Sequence, residues 1–333
     1  MKPVTMRQVA QQAGVDVSVV SRLLNEDPRL SISPATRDRV LQAITDLDYR
    51  PNLAARALRT NHGGMIAFVV PDFTSSVYAH VISGAHQRAQ EIGYAVVVDA
   101  LDPDLARTAR RYRARGIDGA LLAGATLPDR DVVSLEDLSI PMVLLNRRVP
   151  GLTRTACVDY AAASRLAIDH LADLGHRDVM VLSSPRNADF TERLKAFRSR
   201  ARSRRVTTST ATAGGISAQA GYDTGRRILG GDGLGEVTAV FCPTLMLAVG
   251  FLAAAHATGV RVPDELSVIA MHDAEIASFT TPALTTVALP MAELGALAID
   301  HLRALVDQRH PGPTVVDVAP RLEVRGSTAP PRT

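Results

Sequence analysis

The chemistry most plainly written into this chain lies near its start. Ala10, Gly14 and Val20 stand at the spacing of a helix-turn-helix. Ala10 must be small because a second helix crosses close to it. Gly14 takes a turn conformation that a side chain would strain, and Val20 fills the space between the helices. A second helix held this way can lay its first residues, Val17, Ser18 and Arg22, against base edges in a major groove. Arginine pairs bidentately with guanine, serine meets any base, and valine touches a thymine methyl. The bland alternative is a helical hairpin that binds nothing. Charge weighs against it. Residues 1–60 hold nine basic and six acidic side chains, whereas residues 61–333 hold 28 of each, so the whole formal excess of +3 sits around this motif. A polyanion is the partner such an asymmetry predicts.

Other reactive residue types are less informative. Asp159, His170 and His176 do not stand at metal-ligand spacing, and the two histidines flank a helix end, where capping is the expected role. Gly230-Gly231-Asp232-Gly233-Leu234-Gly235 only loosely approaches a dinucleotide loop. It follows a helical stretch and precedes a strand, the reverse of that motif, and reads as a surface turn. Neither a P-loop nor a GxSxG elbow is present, so no enzyme and no cofactor is expected. The basic run Ser199 to Arg205 reads as a solvated helix end rather than a second nucleic-acid site.

The elements that must position these residues fall into two textures. In the first sixty residues, Thr5 with Gln8 forms a capping box for a helix carrying Met6, Val9, Ala10 and Ala13 on one face. Asp16 can cap a second helix that turns Val19, Val20 and Leu23 inward. Ser33-Pro34 opens a third, expected to bury Val40, Leu41, Ile44 and Leu47. Pro51 starts a short fourth helix to Leu58, and residues 60–64 form a polar, glycine-rich linker. From Met65 onward, apolar strands alternate with amphipathic helices, the pattern of parallel sheets with crossover helices. The strands are expected at Ile66–Val70, Ala95–Asp99, Ala120–Ala123, Met142–Asn146, Val179–Ser183, Ala239–Cys242 and Ser267–Met271.

With 333 residues, 46% hydrophobic and 21% charged, the chain can fill more than one core. Its two cysteines, Cys157 and Cys242, suit a reducing cytoplasm, and the first residues lack the apolar core of a signal peptide. Val237 to Ala255 carries no charge, about the length of a membrane span, but Pro243 and Thr244 cut it into a strand and a helix. No membrane role is expected.

The segments MKPVTMRQVAQQAGVDVSVVSRLLN, TRDRV and YRPNLAARALRT resemble the DNA-binding headpiece of the lactose-repressor (LacI/GalR) family. The resemblance runs on through PDFTSSVYAHVISGAHQRAQEIGY, DHLADLGHRDVMVL, ERLKAF, GVRVPDELSVIAMHD and PALTTV, about residues 3–325. It implies a ligand-responsive regulator, expected to be a repressor. The implied fold is α/β, with an all-α helix-turn-helix headpiece (1–50), a hinge helix and linker (51–64), and a periplasmic-binding-protein-like core (65–326) of two parallel-sheet subdomains. These subdomains would span 65–157 with 288–312, and 158–287 with 313–326, the chain crossing near 155–159, 286–290 and Pro313. The resemblance further implies a homodimer on a near-palindromic double-stranded DNA operator. Val17, Ser18 and Arg22 fall at base-reading positions, and Thr5, Ser21, Asn25, Ser31 and Thr36 at phosphate-contacting ones. Leu58 would wedge into the minor groove beside Asn52, Ala55 and Arg59; its plain alternative is packing on Leu53 and Ala54. The short tail from Gly326 lacks heptads, so a dimer rather than a tetramer is expected.

For a small-molecule effector the resemblance points to Phe73, Asn146, Arg193, Ile216, Thr244 and His272. Four of these depart from the family pattern: Asn146 replaces a common aspartate, Thr244-Leu245 replaces Asn-Asp, His272 replaces Asp, and Ile216 replaces an aromatic residue. Fewer acceptors and more apolar wall point to a ligand less polar than a neutral hexose, or anionic, with His272 as a donor and possible cation. The other reading keeps a sugar ligand and makes His272 structural. Two other functions stay in view: a solute-binding protein without a DNA role, which a complete headpiece argues against, and an enzyme, for which no motif speaks.

Overall fold

The computed structural model describes residues 4–24, 29–49, 63–71, 73, 76–123, 127–184, 189–232 and 234–332. Its contacts separate two units, Met1–Gly63 and Gly64–Thr333.

Capping chemistry shapes the first unit, which holds α1 (Met6–Ala13), α2 (Val17–Leu24) and α3 (Pro34–Asp46). The Gln8 side-chain carbonyl accepts from the Thr5 N–H at 2.8 Å and from the Thr5 hydroxyl at 2.9 Å, closing the first turn. Gly14 ends α1 with φ 65°, and nothing lies within 4 Å of where its Cβ would be. The position needs glycine for its backbone, not for space. Asp16 accepts from the Ser18 N–H at 2.8 Å to start α2, and Ser33 accepts from the Thr36 N–H at 3.2 Å to start α3. The three helices bury Val9, Ala10, Ala13, Val20, Leu23, Val40, Ala43 and Tyr49 together. One expectation fails: Leu41 is exposed, and Ala43 takes the inward position. The expected hinge helix from Pro51 to Leu58 lies outside the described residues.

In the second unit two six-stranded sheets form separately. The first contains β1 (Met65–Val70), β2 (Ala95–Ala100), β3 (Ile117–Leu122), β4 (Met142–Leu145), β5 (Thr155–Cys157) and, from far along the chain, β11 (Thr314–Val315), in the order β11-β5-β4-β3-β1-β2. The second contains β6 (Asp178–Ser183), β7 (Thr207–Thr212), β8 (Ala239–Cys242), β9 (Ser267–Met271), β10 (Thr285–Ala288) and β12 (Arg321–Glu323), in the order β12-β10-β9-β8-β6-β7. Every pairing is parallel except β10 with β12. Helices α4 (Ser76–Glu91), α5 (Leu105–Ala114) and α6 (Asp129–Val133) belong to the first lobe, and α7 (Tyr160–Asp173), α8 (Asp189–Ser203), α9 (Ala218–Arg227) and α10 (Leu245–Thr258) to the second. After β10 the chain returns to the first lobe as α11 (Met291–Val306), which packs on α4, β3, β4 and β5. The third crossing comes later than Pro313. Thr314 and Val315 pair with Ala156 and Cys157, so the chain changes lobe only between Val315 and Arg321.

The uncharged stretch from Val237 to Ala255 is a buried strand, β8, broken at Pro243 before the buried helix α10. No helix among the described residues is long and apolar enough to cross a membrane. The basic end of α8 pairs with the acidic face of α7: Arg200 meets Asp169, and Arg204 meets Asp169 and Asp173. Beyond β12 the chain is stitched to the second sheet. The Ser327 hydroxyl accepts from the Thr285 N–H at 2.8 Å, and the Val268 N–H donates to the Ser327 carbonyl at 2.8 Å. His170 Nε2 lies 2.9 Å from the Thr328 hydroxyl and His176 Nε2 3.0 Å from the Ala329 carbonyl. These histidines therefore fasten the chain's last strap instead of capping a helix.

Each lobe contains one very close helix crossing. A Cβ on Gly84 of α4 would stand 1.9 Å from the Ala292 carbonyl oxygen, and one on Gly295 of α11 2.0 Å from that of Val81. In the second lobe, Gly221 of α9 and Gly250 of α10 would meet Leu247 and Ala218 carbonyl oxygens at 2.2 and 1.8 Å. Backbone touches backbone, so no rotamer change relieves an added methyl. Gly250→Ala is expected to destabilise the protein by about 3 kcal/mol, at the upper end of overpacking costs, despite alanine's better helix propensity. Urea denaturation compared with Ala253→Gly, an exposed position of the same helix, checks this.

Candidate functional site

On the first unit, the capped start of α2 presents Val17, Ser18 and Arg22 to solvent while Val20 and Leu23 face inward. Hydrogen bonds from the Ser18 hydroxyl, and then its N–H, hold the Asp16 carboxyl below the ordinary aspartate range. The cap is therefore ionised, and it orients Ser18. Arg39 Nε donates to the Ala13 carbonyl at 3.3 Å, tying α3 to the end of α1 and so fixing the platform under α2. Thr5 and Ser31 are exposed, Ser21 is half-buried, and the Thr36 hydroxyl lies 2.9 Å from that of Ser33, inside the α3 cap. Asn25, Asn52, Ala55, Leu58 and Arg59 lie outside the described residues.

In the second unit the residues expected at an effector follow the carboxyl ends of parallel strands, where α/β sheets place their ligands. Arg193 and His272 are each 4% exposed and meet around a third residue, Tyr160. The Arg193 guanidinium stacks 3.5 Å above the Tyr160 ring, and its Nη1 donates to the Pro243 carbonyl at 3.1 Å. The His272 ring stands edge-on to Tyr160 at 5.8 Å. His272 sits at φ 70° one residue past β9, and its N–H donates to the Val287 carbonyl at 2.9 Å, which holds the turn. Burial first, then the charges of Arg193 and His80, push its imidazole well below the ordinary histidine value. Burial therefore disfavours the charged form of His272, and its buried Nδ1 has no hydrogen-bond partner among the described residues.

The other four expected residues do different things. Asn146, at φ 58°, accepts from the Val158 N–H at 3.3 Å and braces the first crossing. The Thr244 hydroxyl caps α10 by accepting from the Leu247 N–H at 3.3 Å, and lies 3.4 Å from the Ile216 carbonyl. Phe73, 65% exposed, and Ile216, also exposed, are not packed into the core. Three residues escaped the sequence reading. Tyr160 begins α7 directly after its cap Asp159, His80 lies on α4 of the facing lobe, and Ser184 follows β6 with a buried hydroxyl that has no hydrogen-bond partner among the described residues. Only the aromatic-after-cap position of Tyr160 left a trace to read. Asp273, beside His272, is fully engaged: Arg325 grips both its oxygens at 2.9 and 3.2 Å, and the Thr286 hydroxyl donates at 2.6 Å. Among the described residues no group of three His, Cys, Asp or Glu side chains could hold a metal.

Comparison with known proteins agrees with this layout. Residues 5–52 match the model of bacterial regulatory proteins, lacI family, and residues 168–328 that of a periplasmic binding protein-like domain. The HTH-type transcriptional regulator GalS of Salmonella typhimurium is 34% identical over 303 residues, 89% of this chain and 88% of its own. A LacI family transcriptional regulator from Mycobacterium smegmatis superposes with a TM-score of 0.72 at 30% identity, over 80% of this chain and all of that one. The Lac repressor bound to ONPG in the repressed state superposes with a TM-score of 0.82 at 25% identity, over 98% of this chain and all of that one.

The neutral histidines make the core acid-sensitive. His170, His176, His272 and His301 all have values lowered by burial. Their unfolded forms bind protons below about pH 6.5 while the folded forms resist, so stability is full above that value and falls with pH below it, by at most about 1.4 kcal/mol per unit for each group. Urea denaturation at about pH 7.5 and 5.5 is expected to show a marked loss at the lower value. His272→Gln should flatten part of the slope.

Proposed function

This chain belongs to the lacI family of bacterial regulatory proteins, and from that premise we propose how it works as a ligand-responsive transcriptional repressor. A homodimer grips a near-palindromic double-stranded operator, and a small molecule in the core cleft sets the strength of the grip. The observation that carries this reading is the capped α2, with Val17, Ser18 and Arg22 outward over a buried Val20. Thr5, Ser21, Asn25, Ser31 and Thr36 would take phosphates, and Leu58, with Asn52, Ala55 and Arg59, would open the minor groove at the operator's centre. The exposed Ile276 and Phe279 offer apolar surface for a second protomer to cover.

Coupling follows from the three crossings between lobes. A ligand clamped by Arg193 from one lobe and touched by groups of the other stabilises one angle between them. That angle sets where the chain leaves the first lobe toward the DNA-binding unit, so DNA and ligand affinities are linked reciprocally. GalS and the Lac repressor carry names of regulators, not enzymes, which supports a non-enzymatic role without a cofactor. The place of work would be the bacterial cytoplasm, on the nucleoid when DNA is bound. A solute-binding protein would have no use for the base-facing residues.

The test is selection of bound fragments from genomic DNA by the full-length protein, followed by footprinting. Recovery of one inverted-repeat motif supports the reading; no enrichment at low salt, with or without metabolites, refutes it. On the recovered motif, Arg22→Ala is expected to cost about 1–3 kcal/mol and to relax preference at one base pair per half-site. Equal loss on random DNA would show that Arg22 does not read a base.

A further inference from the structure

Resting on the repressor reading, we propose that Asp118 is a positioning residue for DNA binding: its carboxylate anchors the chain at the point where it leaves the first lobe toward the DNA-binding unit. Asp118 belongs to the start of β3, the end of the sheet opposite the cleft. Gly64 is the first residue of the second unit and leads directly into β1. Both polar groups of its backbone are held. Its N–H donates to Asp118 Oδ2 at 2.9 Å, and its carbonyl accepts from the Ala95 N–H at 2.9 Å. Its φ of 71° is one that a side chain would strain, so the chain turns here at a fixed point. The two contacts come from the starts of β3 and β2, the strands on either side of β1.

The bond to Asp118 is built into the sheet. β1 and β3 pair Met65 with Ile117 and then Ile66 with Gly119, which leaves Asp118 as an extra residue between them. Bulges of this kind are uncommon between parallel strands, and they re-aim a side chain. Here the side chain reaches a backbone N–H 54 positions earlier in the chain. A carboxylate accepting from an N–H makes a charge-assisted bond, about twice as strong as a neutral one. Both residues are half-buried, where water competes less for it.

The anchor also stands against the element that arrives from the other lobe. β10 ends at Ala288 and α11 begins at Met291, so α11 is the first element after the second crossing. Its buried Leu302 packs on Gly119, the residue beside Asp118; a Cβ there would stand 2.8 Å from Leu302 Cδ1. Its Arg303 donates to the Tyr94 hydroxyl at 2.8 Å, one residue before Ala95, and is itself held by Asp307 at 3.0 Å. Burial raises the Tyr94 phenol above its ordinary value; the charge of Arg303 opposes this and that of Asp118 adds to it. Consecutive residues of one helix thus touch both strand starts that grip Gly64. A shift of α11 with the angle between the lobes reaches Gly64 through these two contacts.

The experiment measures binding of the full chain to the selected motif and to random DNA. Asp118→Ala is expected to weaken binding to the motif at least about tenfold, as loss of a charge-assisted acceptor predicts. Binding to random DNA, set by phosphate contacts, should change less than about twofold. Asp118→Asn keeps a side-chain carbonyl that accepts, and should stay within about threefold of the wild-type protein. Thermal unfolding shows which variants are folded at the assay temperature; if Asp118→Ala is not, Asp118→Leu, which keeps the bulk without the acceptor, takes its place. Single-residue hydrogen exchange reads the bond itself. The Gly64 amide should be protected in the wild-type protein and in Asp118→Asn, and exchange at least about tenfold faster without the acceptor. Motif binding unchanged by loss of the acceptor, equal loss in Asp118→Asn, equal loss on random DNA, or an unprotected wild-type Gly64 amide overturns the proposal. Failure of the wild-type protein to bind the motif would instead refute the repressor reading, whereas wild-type binding with an unaltered Asp118→Ala would refute only the anchor.

Discussion

Parallel pairing is the constraint on which the binding architecture depends. A parallel strand cannot return by a tight turn, so each must be followed by a crossover, and every strand of a sheet then ends at the same edge. In this protein Asn146, Tyr160, Ser184, Thr244 and His272 all follow the carboxyl ends of β4, β5, β6, β8 and β9. None needs its own loop geometry to be brought near the others; the sheets do it. What remains local is the turn itself, and two of these positions, Asn146 and His272, adopt positive φ without being glycine. Their backbones are held by neighbours across the sheet, through Ala156 and Val287 carbonyls, so the strain is carried by the rigid part of each lobe.

The headpiece was legible because its determinants are short-range. A cap, a left-handed glycine and an inward valine each act over three or four residues, and the sequence displays them directly. Leu41 is the instructive exception. It follows Val40 on α3, and helical spacing alone does not say how wide a buried stripe three short helices can cover; here the stripe takes in Val40, Ala43, Ile44 and Leu47 and leaves Leu41 outside. In the core, the strands rich in valine, isoleucine and leucine announced themselves. β7, Thr-Thr-Ser-Thr-Ala-Thr, did not, because an edge strand with largely exposed side chains needs β-branched residues and not apolar ones.

The cleft was half legible, for a related reason. Arg193 and His272 could be placed by resemblance, yet what they do depends on Tyr160, which meets them only after two crossovers are in place. The same holds for His170 and His176. Their spacing suggested a helix end, whereas their partners are Thr328 and Ala329, more than 150 residues away in the chain. Sequence reading loses such pairs because the contact is created by the last segment to be added, and nothing near the histidines encodes it.

The interleaving of the two lobes has a consequence for how the molecule is made. The first lobe lacks α11 and β11 until synthesis has passed Val315, and the second lacks β12 and the strap through Ala329 until it has passed that residue. Neither can finish as an independent unit during synthesis, as a contiguous domain could. Both lobes are closed by pieces that follow residue 290, whereas the headpiece, contiguous and local, needs nothing from beyond its own first unit.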